Sequence, residues 1–326
     1  MIVMVFWKTH PFFRQWSELF LPQLFEKSDL PSPTNHPYEI QTAATPLSER
    51  TEIRNYLQTY FGTPPHKPIL DHPEEELIGK RDDLLMVRED SGEIAGTLRY
   101  RYAGEFVTSN REPIYVVDCF CIHPRWRKTG VGDYLLTQLH RRSNQRGRPY
   151  ALFLKEGAPL SIWLPPLYTG TYVYRELYRI KSPLKTPAEI FSLYNSQAYR
   201  IMDHYRVLQP NLFVIRNPQS MNQIWKLYRR GVHSVLCGIQ DSYQRMGHKK
   251  MGWITAWIES PAITDDIREE ASRMLSDSCY PRFDMIWMDK QWMGNSTIWT
   301  VDGQFHWYAY QWTTNVPIQR SYCMMT

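Results

Sequence analysis

Residues 114–140, IYVVDCFCIHPRWRKTGVGDYLLTQLH, decide the fold. The first nine, Ile114–Ile122, are almost all apolar or β-forming, which predicts a buried central strand. Apolar residues recur on one helical face after this strand, so a helix is predicted at 131–140. The run YALFL at 150–154 predicts a second strand. A strand, loop, helix and strand within about forty residues have the spacing of a crossover unit between parallel strands.

The pattern outside this stretch predicts an α+β fold class with a mixed α/β sheet. Apolar spacing predicts a helix at 47–61, and the Ser91-Gly92 turn predicts a hairpin between strands at 84–87 and 94–102. The other predicted elements are strands at 253–259 and 283–288, a helix at 265–277, and a terminal hairpin that turns at Asp302-Gly303.

Composition narrows the class of protein. A chain of 326 residues with 43% hydrophobic content can form one large domain or two of ordinary size. No apolar run reaches the roughly eighteen residues that a membrane-spanning helix needs. Five cysteines without disulfide-framework spacing suit a reducing compartment, so we expect a cytoplasmic protein. The net charge of +5 favours anionic ligands such as phosphates, and alone it does not predict a nucleic-acid partner.

The loop Arg127–Gly132, RKTGVG, is the strongest local signal for a ligand. Its two glycines let the backbone approach a ligand closely, and the start of the next helix offers outward N–H groups and the positive end of a dipole. Arg125, Arg127 and Lys128 add positive charge. These features predict a diphosphate site, and the alternative is an ordinary glycine-containing turn with a solvated basic rim.

Cys119, Cys121 and His123 alternate along the predicted strand, so all three would point from one face. Such a set suggests zinc, but the sequence offers no fourth ligand. Free cysteine is often simply buried, and we therefore expect core packing and no metal.

The Arg-x-x-Gly-x-Gly loop in this position resembles the CoA-pyrophosphate loop of the GNAT acyltransferase superfamily. Asp118–Arg127 further resembles the Asn-Phe-Leu-Cys-Val-His-Lys-Lys-Leu-Arg segment of eukaryotic N-myristoyltransferases. Phe6–Pro11 is similar to that family's Phe-Trp-x-Thr-Gln-Pro, Tyr199–Pro210 to its connector, and Phe283-Asp284 with residues 302–312 to its last strands. These matches keep the same order along almost the whole chain, which chance seldom produces.

The resemblance implies two GNAT-like halves in a pseudo-twofold arrangement, with residues 1–208 binding acyl-CoA and residues 209–326 binding a peptide. It implies a monomer that transfers a myristoyl group from myristoyl-CoA to the N-terminal glycine of a protein, without metal, nucleic acid or stable membrane insertion. Two other functions stay open from the sequence: a GNAT acetyltransferase for a small amine or lysine, and a homologue that binds acyl-CoA or an acylated peptide without catalysis.

The resemblance also implies site residues. The backbone N–H groups of Cys119 and Phe120 would form an oxyanion hole beside Asp118, and the C-terminal carboxylate at Thr326 would be the general base. The implied acyl-CoA-binding residues are Phe6, Trp7, Cys121, Ile122, Arg125, Arg127, Lys128, Thr129, Gly130, Val131 and Gly132. The implied substrate-binding residues are Lys155, Gly157, Asp302 and Gly303.

Three departures from the family pattern affect the expected substrate. Asp118 stands where the family has Asn, and Lys155 stands where it has a catalytic-site Thr. The Asp118 carboxylate could serve as a second base, hold the ammonium of the acceptor, or pair with Lys155. Residues 60–65, YFGTPP, replace the family's acidic peptide-binding loop, which predicts an altered acceptor preference.

Overall fold

A computed structural model provides the structure of the chain. Residues 1–37, which include the segment Phe6–Pro11 of the family resemblance, lie outside the residues that it describes. The described residues are 38–62, 69–106, 112–148, 150–160, 165–179, 187–209, 212–311 and 318–324.

Four α-helices occur in the described ranges, and three of them begin where the apolar periodicity predicts. The last one begins after Thr264, whose side chain accepts a hydrogen bond from the backbone N–H of Ile267 and so caps the helix. The helices are α1 (Leu47–Tyr60), α2 (Val131–Gln145), α3 (Asn195–Leu208) and α4 (Asp265–Asp277).

The strands are more numerous than the sequence pattern predicted, especially after residue 160. In the described part of the chain they are β1 (Tyr38–Gln41), β2 (Ile69–Leu70), β3 (Asp83–Arg88), β4 (Ile94–Phe106), β5 (Glu112–Ile122), β6 (Ala151–Glu156), β7 (Tyr168–Glu176), β8 (Glu189–Leu193), β9 (Phe213–Arg216), β10 (Gln223–Arg230), β11 (His233–Met246), β12 (Lys249–Glu259), β13 (Met285–Asp289), β14 (Thr300–Tyr310) and β15 (Tyr322–Cys323).

The chain divides into two compact units, and the division is discontinuous in sequence. The described residues of the first unit fall within 38–102, 113–167 and 307–311, and those of the second within 103–112, 168–306 and 318–324. The predicted boundary between 208 and 209 therefore falls inside the second unit. The assignment of acyl-CoA binding to 1–208 and peptide binding to 209–326 stays a prediction.

In the first unit the strands lie in the order β1, β3, β4, β5, β6, followed by the last residues of β14. The predicted hairpin is confirmed, because β3 and β4 pair antiparallel around Gly92, whose φ is 87°. The predicted crossover is confirmed as well: β5 and β6 pair in parallel, and α2 connects them. The helix buries its apolar face on these strands. The core between them includes Leu85, Leu98, Tyr115, Val131, Leu135, Leu139 and Ala151.

In the second unit the sheet runs from the first residues of β14 through β7, β13, β12, β11 and β10 to β8. The short strand β15 pairs antiparallel with β12 and parallel with β9. Apolar residues of α3 pack on this sheet around Trp225. The mixed α/β fold class expected from the sequence is confirmed in both units.

The hairpin predicted at Asp302-Gly303 is wrong, because both residues lie inside the continuous strand β14. A glycine predicts a turn when the backbone needs a positive φ, but Gly303 is not among the residues with that conformation. Space is open around it, since a Cβ built at Gly303 would meet no atom within 4 Å. The dipeptide therefore lies in extended backbone at an exposed part of the strand.

Candidate active site

The central feature of the first unit is the place where two parallel strands separate. β5 and β6 pair only from Tyr115 with Ala151 to Val117 with Phe153. β5 nevertheless continues to Ile122 and β6 to Glu156. The residues after Val117 thus lie on a strand whose parallel partner has moved away. A gap between strands in front of a helix is where an extended ligand can reach main-chain groups.

Cys119 marks this place with an unusual backbone. Its φ is +48° although it lies inside a strand, and a left-handed non-glycine residue costs of the order of 1–3 kcal/mol. The Thr97 hydroxyl of β4 donates a hydrogen bond of 3.0 Å to the Cys119 carbonyl and so helps to fix this conformation. Val117 before this residue and Phe120 and Ile122 after it all pack on the core that includes α2, so the alternation of side chains shifts by one residue, as in a β-bulge. Cys119 and Cys121 are both buried.

The carboxylate of Asp118 is held by two arginines of β4. Arg99 donates from Nε to Oδ1 at 2.5 Å and from Nη2 to Oδ2 at 2.9 Å, and Arg101 donates from Nε to Oδ2 at 2.8 Å. Burial opposes the charge on Asp118, but the two guanidinium groups outweigh burial and hold its pKa well below the usual range. Asp118 is thus a permanently ionised partner of arginines, which is a poor state for a base near pH 7.

The pair between Asp118 and Lys155 that the sequence left open does not form. The Nζ of Lys155 instead donates 2.6 Å to the carbonyl of the next residue, Glu156. The arginines of β4 take its place, because their guanidinium groups reach both carboxylate oxygens from the neighbouring strand.

Arg99 is buried and makes further contacts behind the sheet. Only 2% of it is exposed, and its Nη1 donates 2.7 Å to the carbonyl of Leu77. Its Nη2 lies 3.2 Å from Nε2 of His72, a buried imidazole. Burial, and then the charge of Arg99, lower the pKa of His72 well below its ordinary value, so this histidine is neutral.

The loop before α2 has the geometry of an anion site. Lys128 has a φ of +67°, and Gly130, the N-cap of α2, has a φ of +99°. A β-branched or bulky residue would be strained at Gly130. Because glycine has no side chain, no side-chain cap covers the helix start, and the first-turn N–H groups have no partner within the helix. These donors lie at the positive end of the dipole.

Gly132 serves close packing rather than a special φ. A Cβ at this position would lie 3.2 Å from Cζ of Phe120. The absence of a side chain lets the first turn of α2 approach the Phe120 ring. The helix start is therefore adjacent to the strand residues that follow the bulge.

Cationic side chains surround this loop. Arg125 is 67% exposed and lies 3.7 Å from a carboxylate oxygen of Glu89, while exposed Arg127 donates from Nε to the carbonyl of Ile122 at 3.1 Å. Lys128 and Thr129 are also exposed, and the Thr129 hydroxyl donates to the carbonyl of Trp126. The loop is thus anchored to the end of β5, and its charges face solvent. A diphosphate fits such a set of donors and cations.

Comparison with known proteins agrees with this geometry. Residues 50–159, which include the separated strands and the loop, match the acetyltransferase (GNAT) family model. In one solved structure, Saccharomyces cerevisiae N-myristoyltransferase with bound myristoyl-CoA is 11% identical, with 97% of this chain and 94% of that chain covered and a TM-score of 0.62. The chain has an N-myristoyltransferase-like GNAT fold. A second structure of the yeast enzyme with myristoyl-CoA gives 10% identity, coverage of 89% and 82%, and a TM-score of 0.61.

At these identities the likeness to N-myristoyltransferase is one of fold. A search of curated proteins found no significant match. The GNAT family match, taken with the N-myristoyltransferase-like fold, supports an acyltransferase that uses acyl-CoA.

The GNAT-like first unit brings most of the predicted acyl-CoA residues together. They lie on the end of β5, the following loop and the start of α2: Cys121, Ile122, Arg125, Arg127, Lys128, Thr129, Gly130, Val131 and Gly132. Lys155 lies near the end of β6 and Gly157 just after it, beyond the point where β5 and β6 separate. Asp302 and Gly303 belong to β14 in the second unit. Phe6, Trp7 and Thr326 lie outside the described residues.

The sequence pattern did not predict the residues that support the strained part of β5 in this GNAT-like unit. They are Thr97, Arg99 and Arg101 of β4, and His72 behind them. A signal for them is present in the sequence, since LRYRY at 98–102 places two arginines at alternate positions of a strand. Charged residues on the buried face of a strand need a partner, and the nearest acid on the neighbouring strand is Asp118.

The described residues of this N-myristoyltransferase-like chain contain neither a candidate membrane-spanning helix nor a candidate metal site. None of its described helices is long and apolar enough to cross a bilayer. No group of three or more histidine, cysteine or acidic residues with the arrangement of a metal site occurs among them. All five cysteines are buried, and none of them forms a disulfide.

Proposed function

We propose that this chain transfers a myristoyl group from myristoyl-CoA to the N-terminal glycine amine of a protein or peptide in the cytoplasm. The observation that carries the proposal is the separation of β5 from β6 at a strained residue, directly before an uncapped helix start. One continuous segment of chain would then donate to both the thioester oxygen and the diphosphate.

In the proposed reaction the amine lone pair attacks the thioester carbonyl carbon and forms the C–N bond. The electrons of the C=O double bond move to oxygen and give a tetrahedral oxyanion. Their return breaks the C–S bond and expels CoA as a thiolate, which takes up a proton. The amine gives its proton to a base, and no covalent enzyme intermediate is needed. Backbone N–H groups of Cys119 and Phe120 would donate to the oxyanion.

The diphosphate of CoA would bind at the start of α2. The N–H groups of the first turn, the dipole and the cations of the loop all favour negative charge there. Gly130 supports this role, because its conformation leaves the helix start uncovered by a side chain. The glycine amine has an ordinary pKa of about 7.7–8.0, so a nearby carboxylate is sufficient as the base.

We assign the base to the terminal carboxylate at Thr326. Asp118 is disfavoured for this step because its two arginine partners keep its pKa low. Adding one glycine after Thr326 moves the carboxylate by one residue, and we expect it to lower kcat by roughly 10- to 1,000-fold, in the range of general-base catalysis. A Thr326→Ser protein, which keeps the carboxylate in place, serves as the control. Equal kcat values for the extended and unextended proteins would contradict the assignment.

Acyl-chain and acceptor specificity test the function itself. The purified chain is incubated with acetyl-, decanoyl- or myristoyl-CoA and with a glycine-initiated peptide, and the product mass is measured. The controls are the same peptide with an acetylated N-terminus and one with a lysine as its only free amine. We expect transfer of the myristoyl group to the glycine amine alone.

Each of the other outcomes would support one of the two alternative functions. The match to the acetyltransferase family makes acetyl transfer the second candidate. Preference for acetyl-CoA, or acylation of the lysine peptide, would support that activity and exclude myristoyl transfer to glycine. Tight binding of myristoyl-CoA without any product would support a binding protein.

A further inference from the structure

We propose that Arg99 and Asp118 form a positioning pair that holds the backbone of Cys119 and Phe120 in the geometry needed for the oxyanion. The inference rests on the proposed acyl transfer and deepens it, because it gives a function to the aspartate that stands where the resembling family has asparagine. Neither residue touches the acyl donor in this role. Both act through the main chain of the next residue.

Arg99 is suited to hold a strand because its guanidinium group is buried and hydrogen-bonded on several sides. It is 2% exposed, donates twice to Asp118 and once to the Leu77 carbonyl, and faces His72. A planar guanidinium bound at three sides has one orientation. Movement of Asp118 would leave a buried cation without its partner, which is strongly unfavourable.

The strained residue follows Asp118 directly in the sequence. β4 therefore contacts the bulge on both sides: Arg99 holds the side chain before Cys119, and the Thr97 hydroxyl holds the Cys119 carbonyl. A residue with a φ of +48° relaxes toward extended backbone unless its surroundings prevent it. Two contacts from one neighbouring strand provide that restraint.

Steady-state kinetics of Arg99→Met test the positioning role. We expect kcat to fall by roughly 10- to 100-fold, less than the full loss of an oxyanion donor, while KM for myristoyl-CoA changes by less than about threefold. Arg99→Lys keeps the charge but loses the fork, so it should recover only part of kcat. In Arg99→Met with Asp118→Asn the combined loss should be smaller than the sum of the two single losses, because both substitutions remove the contact between Arg99 and Asp118.

Arg268→Met provides a matched control for loss of a buried ion pair. Arg268 is also 2% exposed and donates to both carboxylate oxygens of Glu259, at 2.7 and 3.0 Å, but it belongs to α4 in the second unit. It should destabilise the protein without lowering kcat per folded molecule. If Arg99→Met lowers kcat no more than Arg268→Met does, the positioning role is wrong.

A spectroscopic readout separates this inference from the proposed function. Labelling with [15N]cysteine gives one amide signal for each of the five cysteines, and Cys119→Ser identifies the signal of Cys119. We expect this signal to shift in Arg99→Met and to stay in place in Arg268→Met. An unchanged signal in both variants would show that Arg99 does not hold the bulge. Absence of turnover by the unmodified protein with every acyl-CoA would instead refute the proposed function, and the Cys119 signal would still decide the role of Arg99.

Discussion

At the scale of single residues, the site depends on backbone conformations that side chains alone do not reveal. Gly130 has a φ of +99° at the start of α2, and Gly147 has a φ of +63° just after the end of the same helix. Both positions strain any other residue, but only Gly130 borders the proposed diphosphate site. The two glycines therefore separate a binding effect from a folding effect.

We predict that Gly130→Ala weakens binding of myristoyl-CoA by roughly tenfold, because the strained loop shifts its N–H donors. Gly147→Ala is the control, with open space around the new Cβ and a similar backbone penalty of about 1–2 kcal/mol. Calorimetric titration measures the affinities, and denaturant unfolding measures the stabilities. The diphosphate site is wrong if both variants bind myristoyl-CoA equally well.

His72 leads to a prediction for the pH dependence of stability. Burial, followed by the charge of Arg99, keeps its folded-state pKa well below the ordinary value of about 6.5. Below that ordinary value the unfolded chain binds a proton that the folded chain does not. Stability contributed by neutral His72 is therefore present above about pH 6.5 and is lost as the pH falls below it, by up to about 1.4 kcal/mol per unit.

The variant His72→Gln should remove this slope. We expect its free energy of unfolding to decline less between about pH 6.5 and 5 than that of the unmodified chain, as measured by urea titrations at each pH. An identical slope in His72→Gln would mean that this imidazole does not titrate differently in the two states.

At the scale of elements, the sequence predicted what local periodicity controls. Apolar spacing predicted the positions of α1, α4 and the strand, helix and strand from β5 to β6, and a turn glycine predicted the hairpin of β3 and β4. The bulge at Cys119 and the separation of two parallel strands were not predictable, because both depend on contacts between β4, β5 and β6. The hairpin prediction at Asp302-Gly303 was wrong for the same reason, because pairing within the sheet overrode the turn propensity of the dipeptide.

The last described strand, β15, is held by a buried carboxylate. Asp289 accepts hydrogen bonds from the hydroxyls of Tyr322, at 3.0 Å, and Tyr168. We predict that Tyr322→Phe lowers the free energy of unfolding by about 1–3 kcal/mol, because the buried carboxylate of Asp289 loses a hydrogen-bond donor. Tyr205→Phe, which removes a hydroxyl bound to the neutral hydroxyls of Ser234 and Ser260, should cost less. Urea unfolding measures the free energy of unfolding of both variants. If Tyr322→Phe loses no more stability than Tyr205→Phe, the Asp289 carboxylate does not hold β15.

At the scale of the whole molecule, fold and function rest on different evidence. A TM-score of 0.62 over 97% of the chain at 11% identity means that the two proteins share a fold although most of their side chains differ. Backbone features such as a bulge, a strand separation and a helix start can survive such divergence, whereas acceptor preference depends on side chains. The departures at Asp118 and Lys155 therefore bear on the substrate more than on the fold.

We propose that main-chain groups of one segment, from Cys119 to the start of α2, bind both the thioester and the diphosphate of acyl-CoA. A crystal structure of the protein with myristoyl-CoA tests it most directly. We predict the diphosphate against the N–H groups at the start of α2, and the thioester oxygen about 2.7–3.1 Å from the N–H groups of Cys119 or Phe120. Acyl-CoA bound elsewhere, or a thioester oxygen pointing away from the bulge, would contradict the claim.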